Sequence, residues 1–157
     1  MIFATVGTQL PFDRMIAALD RWAGDNKRSD IVAQVGSTSL QLKNITWKRT
    51  MTPEEFRARI QEASIVVSHA GIGSIITALE FRKPTLVMPR LAALHEHRSD
   101  HQVATAEQLS NLGYVNVAQD EDELLRLLDQ LEELPIYEIR PWASDQLIDS
   151  IRGFIEK

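Results

Sequence analysis

Two rhythms of apolar residues alternate along the chain. Short runs rich in β-branched side chains, Ile2–Val6, Ile31–Val35, Ile65–Val67, Thr85–Met88 and Tyr114–Val117, predict buried strands. A further short strand is expected within Leu40–Trp47. Between these runs the apolar spacing widens to three and four. Phe12, Met15, Ile16, Leu19 and Trp22 mark a helix that Gly24-Asp25-Asn26 ends. Thr52-Pro53-Glu54-Glu55 has the form of a helix start, with threonine as cap, proline first and glutamate third, and turns Phe56 and Ile60 inward. Ile65–Val67 leads through the small-residue turn Ser68–Ser74 into a helix that stops at Phe81-Arg82-Lys83-Pro84. Ser99–Leu112 and the acidic stretch Asp120–Leu131 predict two more helices. Trp142, Leu147, Ile148, Ile151, Phe154 and Ile155 form the stripe of a last amphipathic helix within residues 141–157.

Strands apolar throughout, alternating with helices, predict an α/β fold: a parallel sheet with helices on both faces. No linker, repeat or low-complexity segment divides the sequence, so residues 1–157 are expected to form one domain with its own core. In such sheets ligands lie beyond the carboxyl ends of the strands, which directs attention to the turns that follow them.

Composition narrows the class. A net charge of -5 is the wrong sign for a dedicated nucleic-acid binder, which needs a basic footprint. The absence of cysteine removes disulfides, thiolate nucleophiles and cysteine metal sites, and fits a reducing compartment such as the cytoplasm. The opening run Ile2–Val6 is too short for a signal-peptide core, and no stretch approaches the roughly 20 apolar residues of a membrane span. Membrane contact is therefore expected to be peripheral or through a partner.

Three turns carry candidate chemistry. In Ser68–Ser74, Gly71 and Gly73 let backbone N–H groups close on a ligand, and the following helix presents unpaired N–H groups and the positive end of its dipole. Together these favour a phosphate. There is no Gly-Lys-Ser/Thr run, Ile76 stands where a dinucleotide turn needs its third glycine, and no serine sits between glycines as in a nucleophile elbow. The competing reading is a tight turn holding a satisfied His69. Glu80 shares a helix face with Gly73 and Thr77, where a carboxylate is placed to accept from a ribose diol; a solvated glutamate near a helix end is the alternative. The loop Pro89–Gln102 gathers His95, His97 and His101 with Arg90 and Arg98 into a positive segment. Asp100 and Gln102 are candidates for sugar hydroxyls, although Ser99…Gln102 also has the form of a capping box. His95 and His97 lack a third ligand and make a weak metal signal. After the first strand, Gly7, Thr8 and Gln9 either face the same ligand or form a simple turn.

The segments "TVGTQLPFDRMI", "SHAGIGSIITALE" and "PRLAALHEHRSDHQ", in this order, resemble the carboxyl-terminal, donor-binding half of inverting GT-B glycosyltransferases of family 28. The likeness covers nearly the whole chain. It is nearest to the small split enzymes: the catalytic subunit of the eukaryotic dolichol-linked N-acetylglucosamine transferase, and PssE-like subunits of bacterial exopolysaccharide synthesis. The resemblance implies a Rossmann-like, three-layer domain and a UDP-sugar donor, with no metal or other cofactor. By position it implies Gly71, Gly73 and Ser74 as the diphosphate turn and Gly7 and Thr8 as the loop facing the phosphates. Glu80 would hold the ribose, Asp100 and Gln102 the donor sugar, and Arg49–Pro53 the uracil. His69 would assist the departing diphosphate.

A complete GT-B enzyme has two halves, and the quoted segments resemble one. The resemblance thus implies a membrane-associated, PssD-like partner that binds a lipid-linked saccharide acceptor and supplies the general base, with this chain cytoplasmic at the inner face of the membrane. The stripe within 141–157 is either a docking element or packs on the chain's own sheet. Arg90, Arg98, His95 and His97 together suit a carboxylate, which makes glucuronate the expected sugar, with N-acetylglucosamine or another hexose as the alternative. A non-catalytic enhancer subunit and an epimerase-like hydrolase acting on nucleotide sugars are the other classes.

Overall fold

The computed structural model describes residues 1–135; the helix expected within 141–157 lies outside the described residues. All strand pairs are parallel. The strands are β1 (Ile2–Thr5), β2 (Ile31–Gln34), β3 (Thr46–Lys48), β4 (Ile65–His69), β5 (Thr85–Met88) and β6 (Asn116–Val117), in the order β3-β2-β1-β4-β5-β6. The helices among the described residues are α1 (Asp13–Asp25), α2 (Pro53–Glu62), α3 (Ile72–Glu80), α4 (His101–Asn111) and α5 (Glu121–Asp129), with short 3-10 turns at Ala92–Leu94 and Leu131–Glu133.

Alternation along each strand sends side chains to two layers. Ile2, Ala4, Ile31, Ala33, Val67, Leu86 and Met88 face α1 and α5, where they meet Met15, Ile16, Leu19, Leu124 and Leu128. Phe3 and Val66 face the other way, onto Ile60 of α2 and Ala78 of α3. Val87 joins Ile75 and Leu79 of α3 and Ala106 of α4. The result is the three-layer arrangement expected of strands apolar on both faces. Each fully buried Ile, Leu or Phe contributes about 1.5–3 kcal/mol by leaving water. The α1–α5 layer is also pinned by Trp22, whose indole N–H donates to Asp129 at 2.7 Å.

Several boundaries differ from expectation for physical reasons. Leu40 and Leu42 are not in a strand; they pack on the α1 side of the core, and the edge strand forms later, at Thr46–Lys48, with all three residues exposed. Tyr114 and Val115 pack against the α3–α4 cluster, which leaves two residues for β6. The capping box at Thr52 forms as expected: its hydroxyl accepts the Glu55 N–H at 3.2 Å, and Glu55 accepts the Thr52 N–H at 3.2 Å. The one predicted at Ser99 and Gln102 does not form, because α4 starts at His101 with Asp100 as its cap residue.

The strand order determines where the turns meet. From β1 the chain steps outward to β2 and β3, then returns to the far side of β1 to lay down β4, β5 and β6. At that reversal, connections leave β1 and β4 in opposite directions and open a crevice at their carboxyl ends. Register keeps those ends level, with Thr5 beside both Gln34 and Ser68, and His69 beside Met88.

Candidate functional site

The crevice is a cavity of about 550 Å³, within the range of small-molecule sites, roughly 300–1,000 Å³. Four connections build it. The β1–α1 loop contributes Gly7, Thr8, Gln9 and Leu10; the β4–α3 junction contributes His69 at the end of β4, Gly71 in the turn, and Gly73 and Ser74 in the first turn of α3; the segment after β5 contributes Arg90 and His97, and the start of α4 His101 and Gln102; Met51 and Thr52 before α2, with Pro53 and Phe56 in it, complete the lining. Gln34 lies at the floor, where it accepts the Thr5 hydroxyl at 3.0 Å, while Thr5 accepts the Gly7 N–H at 3.1 Å. No aspartate or glutamate is among the lining residues, in a chain of net charge -5.

The β4–α3 turn is built around His69. An ideal Cβ on Gly7 would lie 2.7 Å from His69 Cε1, and one on Gly71 would overlap its Nε2. Gly7 also has a φ of +73°, which glycine adopts without strain. These two glycines therefore make room for an imidazole. Gly73 differs: a Cβ there would meet nothing within 4 Å, and the residue lies in the first turn of α3 on the cavity wall. No side chain caps α3, in contrast to α2, so its first N–H groups stand at the cavity with the positive end of the helix dipole.

His69 is mostly buried, and its pKa falls from 6.5 to about 4. Burial is the largest cause, the nearby Arg90 cation adds to it, and the Thr5 backbone works against it. The ring is therefore neutral at pH 7, and any help it gives a leaving group is a hydrogen bond rather than a positive charge. Among the described residues, its Nδ1 is buried without a hydrogen-bond partner. His97 and His101 stack edge to face at 4.4 Å between centroids on the opposite rim. Ser99 ties this pair down, with its N–H donating to His97 Nδ1 at 3.4 Å and its hydroxyl 2.9 Å from His101 Nδ1.

Eight of the predicted site residues come together here: Gly7, Thr8, His69, Gly71, Gly73, Ser74, Arg90 and Gln102 line the cavity. Gln102 is buried, with its side-chain carbonyl accepting the Arg90 N–H at 3.2 Å. Three do not join them. Glu80 shares its helix face with Gly73 as expected, but lies seven residues along α3, about 10 Å away at 1.5 Å per residue. It is exposed and paired with Arg57 at 3.1 Å. Asp100 is spent on the local turn, where it accepts the Ala92 N–H at 2.8 Å. Arg98 is exposed and outside the lining.

Arg90 lines the cavity without being free to bind a carboxylate. Its Nη1 donates to the carbonyls of Pro11 at 3.0 Å and Glu96 at 3.3 Å, and its Nη2 to those of Val6 at 2.7 Å and Leu10 at 2.6 Å. All terminal N–H groups are thereby used. The glucuronate expectation loses both of its arginines on these grounds.

Some lining residues went unmarked in the sequence. Phe56 was read as core, and Gln34 was hidden inside the apolar run Ile31–Val35; in the structure it closes β2. The signal for Gln34 was its side chain: a glutamine closing a buried strand needs a polar partner. His101 was visible only as one of a histidine-rich loop.

A parallel sheet reversing at β1 and β4, with an uncapped helix at the reversal and an acid-free cavity around it, defines a Rossmann-like domain with a ligand crevice at its switch point. The comparisons with known proteins make the class specific. Residues 1–138 match the glycosyltransferase family 28 C-terminal domain, and the chain belongs to that family. It is 29% identical over 129 residues to the mouse UDP-N-acetylglucosamine transferase subunit ALG13, covering 72% of this chain and 10% of the mouse protein. It is 37% identical over 70 residues to the subunit of the same name from Cryptococcus neoformans var. neoformans serotype D, covering 43% of this chain and 33% of the relative. The chain thus spans a third or less of the length of these relatives. Among solved structures, the solution structure of ALG13 superposes with a TM-score of 0.61 at 19% identity, covering 96% of this chain and 93% of that one. The glycosyltransferase of kitacinnamycin superposes with a TM-score of 0.59 at 20% identity, covering 82% of this chain and 34% of that one. These structural likenesses bear on the fold.

Proposed function

We propose that the chain is the donor-binding subunit of a two-component inverting glycosyltransferase, with UDP-N-acetylglucosamine or a similar neutral UDP-hexose as donor. The observation that carries this reading is the cavity itself: acid-free in an acidic chain, and opened at the uncapped start of α3. The family membership and the names of the N-acetylglucosamine transferase relatives support the same sugar class. The exopolysaccharide setting rests on the resemblance to PssE-like subunits, and glucuronate on that resemblance and the cluster of Arg90, Arg98, His95 and His97; the bonds Arg90 makes to carbonyls argue against glucuronate.

In the reaction, an acceptor hydroxyl attacks the anomeric carbon, the new C–O bond forms as the bond to phosphate breaks, and UDP leaves with the electron pair. N–H groups at Gly73 and Ser74 meet the negative charge where it grows, aided by the α3 dipole. In this reading Met51–Pro53 and Phe56, which line the cavity, contact the uracil, and Gln102 with the His97–His101 pair contacts the sugar. The acceptor proton goes to a base on a partner subunit. That partner, membrane-associated and holding a lipid-linked acceptor, completes the proposal, with the complex on the cytoplasmic face.

The test is calorimetric titration of the full chain with UDP, UDP-N-acetylglucosamine and UDP-glucuronate, followed by a transfer assay with and without a co-expressed partner. Binding of the nucleotide, with preference for the neutral sugar, is expected. Absence of heat with any of the three would leave a non-catalytic enhancer subunit as the surviving reading. Sugar release from UDP-sugar by the chain alone would favour a hydrolase.

A further inference from the structure

Arg90 and Glu96 form a bracket around the β1–α1 loop that the donor-binding reading does not use. Arg90 is 2% exposed, yet among the described residues it makes no ion pair. Its guanidinium takes carbonyls from both ends of the β1–α1 loop, Val6 on one side and Leu10 and Pro11 on the other, and the Phe12 ring lies 5.1 Å from its central carbon. Its remaining donor, Nε, is buried without a partner among the described residues. Glu96 works from the other direction. Its carboxylate forks onto Arg14 of α1 at 2.8 and 3.0 Å and accepts the Leu91 N–H at 3.0 Å, while its own carbonyl accepts Arg90 Nη1. Arg14 also donates to Glu121 at 2.9 Å and to the Pro89 carbonyl at 3.3 Å.

The chemistry suits clamping better than ligand binding. Four converging carbonyls need donors spread in a plane, which guanidinium has and ammonium lacks. An arginine gripping a phosphate or carboxylate in the usual fork would present its terminal N–H groups to the ligand, and all four of Arg90's are held by backbone carbonyls. The carbonyls it holds flank Gly7, Thr8 and Gln9, the residues that line the cavity from β1.

We infer that Arg90 and Glu96 are positioning residues that join the loop after β1 to the segment after β5 as one wall, fixing where Gly7, Thr8 and Gln9 face the donor without touching it. The inference deepens the donor-binding reading and rests on it. The experiment compares the full-length wild type with Arg90→Lys and Glu96→Gln, reading backbone amide exchange without ligand and UDP affinity by calorimetry. In Arg90→Lys, the hydrogen-bonded amides of Val6 and Gly7 at the start of the loop exchange about tenfold faster, those of β4 stay as in wild type, and UDP binds about tenfold more weakly, the scale of losing bonds to a charged donor. Glu96→Gln, which leaves the Arg90 side chain in place, moves both readouts in the same direction and carries the test if Arg90→Lys does not fold. Weaker UDP binding with unchanged exchange would make Arg90 a direct ligand and overturn the inference. Faster exchange with unchanged UDP affinity would make the bracket structural only, and overturn it too. A wild type that takes up no UDP overturns the reading of the cavity and the positioning role with it, whereas unchanged exchange overturns the clamp alone.

Discussion

Replacing Gly73 by alanine separates what the fold needs from what the ligand needs. A Cβ at Gly73 meets nothing within 4 Å, and the residue lies in the first turn of α3 with an ordinary helical backbone. Alanine there costs no contact and restricts the unfolded chain, which is worth about 0.5–1 kcal/mol of added stability. For a domain of this size the melting temperature should rise by about 1–4 °C. The same methyl group occupies the approach to the N–H groups of Gly73 and Ser74. A diphosphate held there loses at least one charge-assisted hydrogen bond, about 1.5–3 kcal/mol, or roughly ten- to hundredfold in Kd. Differential scanning calorimetry and UDP titration on the same preparation read both effects. A variant that is more stable and still binds UDP within about twofold of wild type, far short of the loss one such bond represents, would place the diphosphate elsewhere. A variant that melts lower would refute the open space around Gly73.

Further expectations concern the same turn and its supports. Gly71→Ala should destabilise by about 1–3 kcal/mol because its methyl overlaps the His69 ring; His69→Ala in the same chain should recover most of that loss, a non-additivity that urea denaturation of the four-member cycle would detect. His69 is held neutral in the folded state, with a pKa near 4 against 6.5 for the free side chain. The unfolded chain therefore binds the extra proton between these values, and stability present above pH 6.5 is lost as the pH falls towards 4. The loss from this one group is about 3 kcal/mol, and a His69→Gln variant followed by chemical denaturation across that window should lack it. Thr52→Ala removes a hydroxyl that caps α2 and should cost about 1 kcal/mol, read as a shift in denaturation midpoint.

The strands that carry the site were legible because β-branched runs such as Ile65–Val67 have few other uses. Their alternation with helices predicted the parallel sheet, and the rule that ligands lie at strand ends pointed to the three turns that now form one cavity. What sequence could not convey was reach. Glu80 is on the predicted face of α3 but two turns too far along it, since a shared face says nothing about distance along the axis. Arg90 and Arg98 looked alike as cations in one loop; the fold buries the first among carbonyls from residues 6–11 and leaves the second exposed. The glycines misled in a subtler way. Gly7 and Gly71 suggested space for a ligand, and that space is filled by an imidazole from a residue between them in sequence.

The two outermost strands bear on how the molecule behaves in company. β3 is three residues long and β6 only two, so each margin of the sheet offers a neighbouring chain very little backbone to pair with. Short borders are one way a parallel sheet avoids growing sideways into aggregates. Trp47 and Lys48 stand exposed on the β3 border, and Lys48 is held by Glu55 at 2.9 Å, which keeps a charge on that edge. A redesign that lengthened either border, for instance by extending β6 back through Tyr114, would gain ladder hydrogen bonds and lose colloidal protection. Its cost would be read in solubility at high concentration before it was read in the melting temperature.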